Sequence, residues 1–318
     1  MNNYIDYAIK TRTYSVLEPS SLSSDATYLY SALGIDDRSS LAAWRALEAT
    51  APTRCVSIID EQADKIEIAT FEGNLSLQLR NIEALQKIWQ NKNHAYIDIT
   101  GMSHHVWAPL LRSCMGNVDT VDIVYAEPHQ YRFHSSPASS TIFNLSDSFL
   151  GVSPLPGFAK LQGPDESSKP IFIVFLGFEG MRASQIAITL ESVPKTVPVL
   201  GIPGFQMEFP AHAVSCNWEF LEEARAHTDI QFAKASCPFE AYEALKAVQD
   251  ENPSAYMYIA PIGTKPHALG AILFALENPQ SVEIVYDHPV RSPQRSSGVG
   301  PIHIYRIKDK PSQVGTTR

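Results

Sequence analysis

Between residues 171 and 286 the chain alternates short apolar runs with stretches whose apolar positions recur at helical spacing. This alternation predicts strands at 171–176, 197–202, 229–234, 255–260 and 281–286, separated by helices at 181–192, 217–227, 239–250 and 266–277. Continuous apolar strands such as Ile171-Phe172-Ile173-Val174-Phe175-Leu176 suit a parallel sheet covered on both faces by helices, so this half reads as Rossmann-like. Residues 302–307 alternate strictly and predict an edge or antiparallel strand, with a frayed tail from Asp309.

Before residue 171 the pattern is less regular. Strands are expected near 54–60 and 65–71, then an amphipathic helix near 76–90 on the spacing of Leu77, Leu79, Ile82, Leu85, Ile88 and Trp89. A strand at 95–100, a helix near 105–115 and a strand at 120–126 follow. Residues 1–50 are polar and mixed, with one helix expected over 40–50 and Ser39 or Ser40 as its cap. Residues 127–169, rich in proline and serine, read mostly as connection.

The two halves share sequence. Glu83-Ala84-Leu85 recurs as Glu243-Ala244-Leu245, and Ala95-Tyr96-Ile97-Asp98-Ile99 falls on Ala255-Tyr256-Met257-Tyr258-Ile259 at the same offset. After one inserted residue, Val121-Asp122-Ile123-Val124-Tyr125 with Pro128 falls on Val282-Glu283-Ile284-Val285-Tyr286 with Pro289. The expected fold is therefore α/β: two Rossmann-like halves with mainly parallel sheets, related by internal duplication. The halves are placed at 1–135 and 170–307, with a connecting segment at 136–169 and a tail at 308–318. A duplicated domain can build one pseudo-symmetric site between its halves.

Composition narrows the setting. The chain has 318 residues, 44% of them hydrophobic, enough for two folded domains. Its apolar runs are strand-length, far below the roughly 18 residues of a membrane span. The start, MNNYIDYAIKTR, lacks the apolar core of a secretory signal. Cys55, Cys114, Cys216 and Cys237 are dispersed without a CxxC pair, which argues against a disulfide framework or structural zinc. A cytoplasmic protein is expected, with no membrane association, bound metal or resident cofactor. The net charge of −9 disfavours duplex nucleic acid, but a small anionic ligand needs only a few local cations and backbone N–H groups.

In an open parallel sheet, ligands bind beyond the carboxyl ends of the strands. The loop after 171–176 carries Gly177, Glu179 and Arg182; the last two could hold a ligand or pair with each other. The loop after 255–260 carries Gly263, Thr264 and Lys265 at a helix start, which fits a phosphate contact and equally a capped helix with Thr264 as N-cap and Pro266 behind it. Arg291 and Arg295 fall in a long Ser/Gly segment, as mobile anion clamps or solvated charges. In the first half, Asp98 precedes Thr100-Gly101-Met102-Ser103-His104-His105. These residues could supply a serine nucleophile with a histidine base, or a metal site, but neither GxSxG nor HxxxH is present, and polar ligand contacts or helix capping fit better. Without GxxxxGK[ST] or GxGxxG, nothing points to ATP hydrolysis or nicotinamide.

Ile99-Thr100-Gly101-Met102-Ser103 and Ile262-Gly263-Thr264-Lys265-Pro266, each between a strand and a helix, resemble turns of the CRISPR-associated Rossmann-fold (CARF) sensor domains and their fused tandem relatives, the SAVED domains. The second is close to the G-G-T-K-x-M turn of some members, with Ile262 for the first glycine and His267-Ala268 in place of methionine. The resemblance covers a short stretch of each half. It implies a cyclic oligonucleotide bound across a pseudo-two-fold interface by the loops after the first and fourth strands. Gly177, Glu179, Arg182, Gly263, Thr264 and Lys265 would then face the ligand, with Gly101, Ser103 and His104 as counterparts in the other half. It further implies a role in antiviral defence, with a separate protein partner or a homo-oligomer carrying the signal. The expected function is a nucleotide-type sensor or binding module. The alternatives are a phosphodiesterase or ring-nuclease-like enzyme using Ser103, His104 and Lys265, and a protein-interaction subunit without a small ligand.

Overall fold

A computed structural model describes residues 10–138, 141–160, 163–164, 169–190 and 195–309. In chain order its strands are β1 (Thr11–Tyr14), β2 (Thr27–Ser31), β3 (Cys55–Glu61), β4 (Lys65–Thr70), β5 (Gly73–Gln78), β6 (His94–Asp98), β7 (Thr120–Tyr131), β8 (Phe133–Ala138) and β9 (Thr141–Phe143). They continue with β10 (Ser146–Phe149), β11 (Ile171–Phe175), β12 (Lys195–Gly201), β13 (Gln231–Ala233), β14 (Met257–Ala260), β15 (Val282–Ile284), β16 (Pro289–Arg291) and β17 (Ser296–Lys308). The helices are α1 (Ala42–Thr50), α2 (Ile82–Gln86), α3 (His104–Met115), α4 (Gly180–Thr189), α5 (Phe209–Cys216), α6 (Trp218–Glu223), α7 (Pro238–Glu251) and α8 (Lys265–Glu277). The chain is mixed α/β and divides into two compact units: residues up to Pro128 together with those from Gly298, and His129–Ser297.

The first unit is built on an eight-stranded sheet in the order β1-β17-β7-β6-β2-β3-β4-β5. Its centre, β7-β6-β2-β3, is parallel. Beyond it β3, β4 and β5 run as an antiparallel meander, and β1 pairs antiparallel with β17. Ile302 and Ile304 of β17 join a core containing Tyr28, Trp44 and Tyr96. Tyr30 stacks on Trp44 with ring centroids 5.4 Å apart and planes within 5°. Two buried indoles keep their N–H groups bonded, as burial of a polar group favours: Trp44 donates to Asp98 Oδ2 at 2.7 Å and Trp89 to Ser113 Oγ at 2.8 Å, whereas the Trp107 N–H is buried without a hydrogen-bond partner among the described residues.

The second unit centres on a five-stranded parallel sheet in the order β13-β12-β11-β14-β15. Its first strand, β11, is central and buried throughout, which is why it reads as an unbroken apolar run. Phe172, Phe175 and Phe274 are fully buried and contribute about 1.5–3 kcal/mol each. Helix α8 is buried on nearly every side, in keeping with a sequence apolar all round. Two antiparallel ribbons complete the unit, β10 with β16 and β8 with β9.

Several local expectations change. Residues 76–78 belong to a strand rather than a helix, because Leu75 and Leu77 pair opposite Ile68 and Ile66 of β4; α2 starts only at Ile82, capped by the Asn81 side chain. Helix α1 has neither expected serine as its cap. Its N-cap is Leu41, and the Ser39 hydroxyl instead donates to the Asp36 carbonyl in a preceding short turn. Helix α5 lies where only a loop was expected, and the connecting segment holds β8, β9 and β10. The strand expected over 302–307 forms within β17 and belongs to the sheet of the first unit. Positions 191 and 192 of the expected 181–192 helix, the first nine residues and the tail from 310 lie outside the described residues. No helix among the described residues is long and apolar enough to cross a membrane.

Candidate functional site

In the second unit the strand order reverses between β11 and β14, since the chain leaves β11 toward β12 and β13 and returns on the other side to β14 and β15. Loops flanking such a point diverge at the carboxyl ends of the strands. Here they carry Gly177 and Gly263, which meet. A Cβ on Gly177 would lie 2.6 Å from the Ile262 carbonyl oxygen, and one on Gly263 3.1 Å from that of Leu176. Both glycines allow the close passage of two backbones.

The loop after β14 runs into α8. Thr264 is the N-cap; its hydroxyl accepts from the His267 N–H at 3.3 Å and donates to the Ala235 carbonyl at 2.6 Å. Lys265 is the first helical residue and is buried, which places a cation at the end of the helix where backbone N–H groups favour anions. His267 is fully buried, and its Nε2 lies 3.3 Å and 3.1 Å from the carbonyls of Ala233 and Lys234. Two carbonyl partners place the proton on Nε2. Burial pushes the imidazole down to about 4, although those carbonyls pull it upward. Its Nδ1 is buried without a hydrogen-bond partner among the described residues.

The loop after β11 runs into α4. Glu179 is the N-cap residue, but its side chain does not cap; its carboxylate accepts from Ser146 Oγ at 3.1 Å and from Arg182 Nη1 at 3.3 Å. Arg182 turns mainly to Asp287, with Nε and Nη2 each 2.7 Å from a carboxylate oxygen. Its guanidinium also lies 5.7 Å from the ring centroids of Phe149 and Tyr286. Burial by itself would lower the pKa of this group, but the Asp287 bonds outweigh it and hold Arg182 above the ordinary arginine value. The segment carrying Arg291 and Arg295 is shorter than expected as a loop. Arg291 sits in β16 opposite Ser146, and the Arg295 carbonyl accepts from the Arg132 N–H at 2.9 Å just before β17. Ladder hydrogen bonds order both ends.

In the first unit Gly101 follows β6 and packs against the turn after β2, where a Cβ would meet those of Ser31 and Ser39 at 2.8 Å. Ser103 starts α3 with its Oγ donating to Glu61 at 2.7 Å and its N–H directed at both carboxylate oxygens at 3.3 Å. His104 packs on Trp107 with centroids 5.4 Å apart, and His105 Nε2 lies 3.2 Å from the Gln62 carbonyl. Asp98 is turned inward, accepting from Trp44 and from the Thr100 N–H at 2.9 Å. The hydroxyl, imidazole and carboxylate singled out in the sequence thus have separate neighbours. Among the described residues no three His, Cys, Asp or Glu side chains gather as a metal site requires.

No protein-family model matches this chain, and no curated protein matches its sequence. The geometry therefore carries the functional argument. Two residues outside the sequence-based set hold members of it in place: Glu61, which bonds Ser103, and Asp287, which bonds Arg182. Each is an acidic residue at or just past the carboxyl end of a strand. That position was a usable signal.

Proposed function

We propose that the chain is a nucleotide-type sensor or binding module whose ligand sits beyond the carboxyl end of the parallel sheet of the second unit. Gly177, Gly263, Thr264 and Lys265 line this ligand position. The observation that carries the proposal is the placement of Lys265, a buried cation on the first turn of α8 beside the reversal of strand order. An anionic group there gains the helix N-terminus and the ammonium together. Arg182 and Glu179 act one layer out, holding the β11 loop through Asp287 and Ser146.

Internal duplication belongs to the same reading. The order β3-β2-β6-β7 in one unit matches β12-β11-β14-β15 in the other, and the repeated sequence falls on β6 with β14 and on β7 with β15. Each unit also has a glycine packed against the neighbouring loop where its strand order reverses. The resemblance to cyclic-oligonucleotide sensors would place the chain in the cytoplasm, in defence signalling through a separate protein.

Thermal unfolding against cyclic oligonucleotides, linear oligonucleotides and mononucleotides tests the proposal, because a ligand at 100 times its Kd stabilises the native state by about 2.7 kcal/mol. A selective rise of the midpoint with a cyclic oligonucleotide is expected. Calorimetric titration of Lys265→Met, below its own unfolding temperature, separates lost binding from lost folding. No shift with any nucleotide would overturn the proposal. Conversion of the bound ligand would move it to the enzyme class.

A further inference from the structure

Beside the β11 loop, against which its Cys216–Trp218 wall packs, the second unit carries an open groove of about 690 Å³ lined by Leu200, Ile202, Pro210, Val214, Cys216 and Trp218 together with Ala211 and Glu219. It lies between the carboxyl end of β12 and helices α5 and α6. The apolar surface continues beyond the groove. Ile202 is 42% exposed, Trp218 48%, Met207 just before α5 96%, and Phe232 on edge strand β13 61%. Phe232 adjoins the groove, since the Ile202 N–H donates to the carbonyl of the next residue, Ala233, at 3.0 Å. Exposed tryptophan and isoleucine lining a groove, with phenylalanine on the strand beside it, are characteristic of a surface that another molecule covers.

The charge around the groove is one-sided. Residues 201–225 contain Glu208, Glu219, Glu222 and Glu223 against a single cation, Arg225. All four carboxylates are exposed, and none has an ion-pair partner among the described residues. On α6, Glu222 is one turn from Trp218 and Glu223 one turn from Glu219, so the acidic rim borders the apolar floor. A small ligand in so open a groove would keep too much of its surface in water. A helix laying an apolar face along the groove, with lysine or arginine at its margins, satisfies both the floor and the rim.

We propose that this groove docks a basic amphipathic helix of a partner protein, independently of any ligand at the Lys265 position. Apolar anchors of the partner fill the space between Ile202, Val214 and Trp218, and its cations face Glu219, Glu222 and Glu223.

The chain has four tryptophans; Trp44, Trp89 and Trp107 are fully buried, so quenchable emission reports on Trp218. The probes are a tryptophan-free amphipathic helix of leucine and lysine and the same helix with glutamate for lysine. The lysine helix is expected to shield Trp218 from acrylamide and shift its emission to the blue, and the glutamate helix to do neither. Ala211→Glu, at an exposed position of α5, should weaken the lysine helix about tenfold. Because this substitution adds negative charge, non-specific attraction alone would strengthen binding instead. Glu219→Lys with Glu222→Lys should reverse the preference between the two helices. Both variants are expected to unfold at the wild-type midpoint. Equal binding of the two helices, or unchanged affinity in Ala211→Glu, would overturn the proposal. Binding of an apolar dye at Trp218 that neither helix displaces would overturn it in favour of a small-molecule pocket.

Discussion

Arg182 grips Asp287 with both edges of its guanidinium, Nε to Oδ2 and Nη2 to Oδ1 at 2.7 Å each, joining the first helix after β11 to the end of β15. Both side chains are buried, so Asp287 depends on Arg182, and Arg182 on Asp287 with a longer contact to Glu179, for what water would otherwise supply. The pair holds the loop after β11 against the far side of the same sheet and fixes one wall of the proposed ligand position.

Asp287→Asn should destabilise the second unit by about 3 kcal/mol, because the buried guanidinium loses its bidentate counter-charge and keeps only the longer contact to Glu179. Arg182→Met together with Asp287→Leu should cost less than Asp287→Asn alone. Urea unfolding of the three proteins checks this. Equal losses in the single and double variants would mean that the pair contributes only packing.

Acid should weaken the second unit through His267. Its folded-state value near 4 lies below the unfolded 6.5, so between these limits the unfolded chain binds the extra proton and stability falls with pH. The loss should reach about 3 kcal/mol at the lower limit. His267→Gln keeps a donor toward Lys234 and does not titrate, so its midpoint should change less across this window. Parallel pH profiles of variant and wild type would exclude His267 as the cause.

A second acid effect is expected lower on the scale, in the first unit. Burial would raise the Asp122 carboxyl, but hydrogen bonds from His94 at 2.8 Å and Arg306 at 3.1 and 3.0 Å hold it below the ordinary 3.8. A depressed folded value gives stability that is complete above the unfolded pKa and lost as pH falls through the folded one. Asp122→Asn should therefore lower the midpoint at neutral pH, yet lose less than wild type as the pH falls through and below the ordinary carboxylate value of 3.8.

Gly180 and Gly116 should differ sharply in their response to alanine. A Cβ at Gly180 would overlap the Cys216 carbonyl oxygen, whereas at Gly116 nothing lies within 4 Å. Gly180→Ala should cost about 1–3 kcal/mol or more, since the obstacle is backbone, and Gly116→Ala about 0.5 kcal/mol or less in either direction. Differential scanning calorimetry of the two variants gives the comparison directly.

The sequence by itself determined the elements whose burial is uniform or periodic along the chain. β11, β12, β14 and β15 read as apolar runs because they lie in a sheet covered on both faces, and α7 and α8 follow from helical spacing and the turns that bound them. Thr264 as the cap of α8 and the glycines at the loop crossings were likewise legible, since capping and close approach demand particular residues locally. Tertiary structure alone decided the rest. The polar-looking segment Thr27–Ser31 became a buried central strand because Tyr28 and Tyr30 stack on Tyr96 and Trp44. β17 joined the sheet of the first unit because the apolar face of Ile302 and Ile304 met the core there. Arg182 found Asp287 across 105 residues rather than pairing only with Glu179 one turn away. Local periodicity specifies which face of an element is apolar. It does not specify which distant face will cover it, because that choice depends on the contacts and buried charges that exist only once the chain has closed.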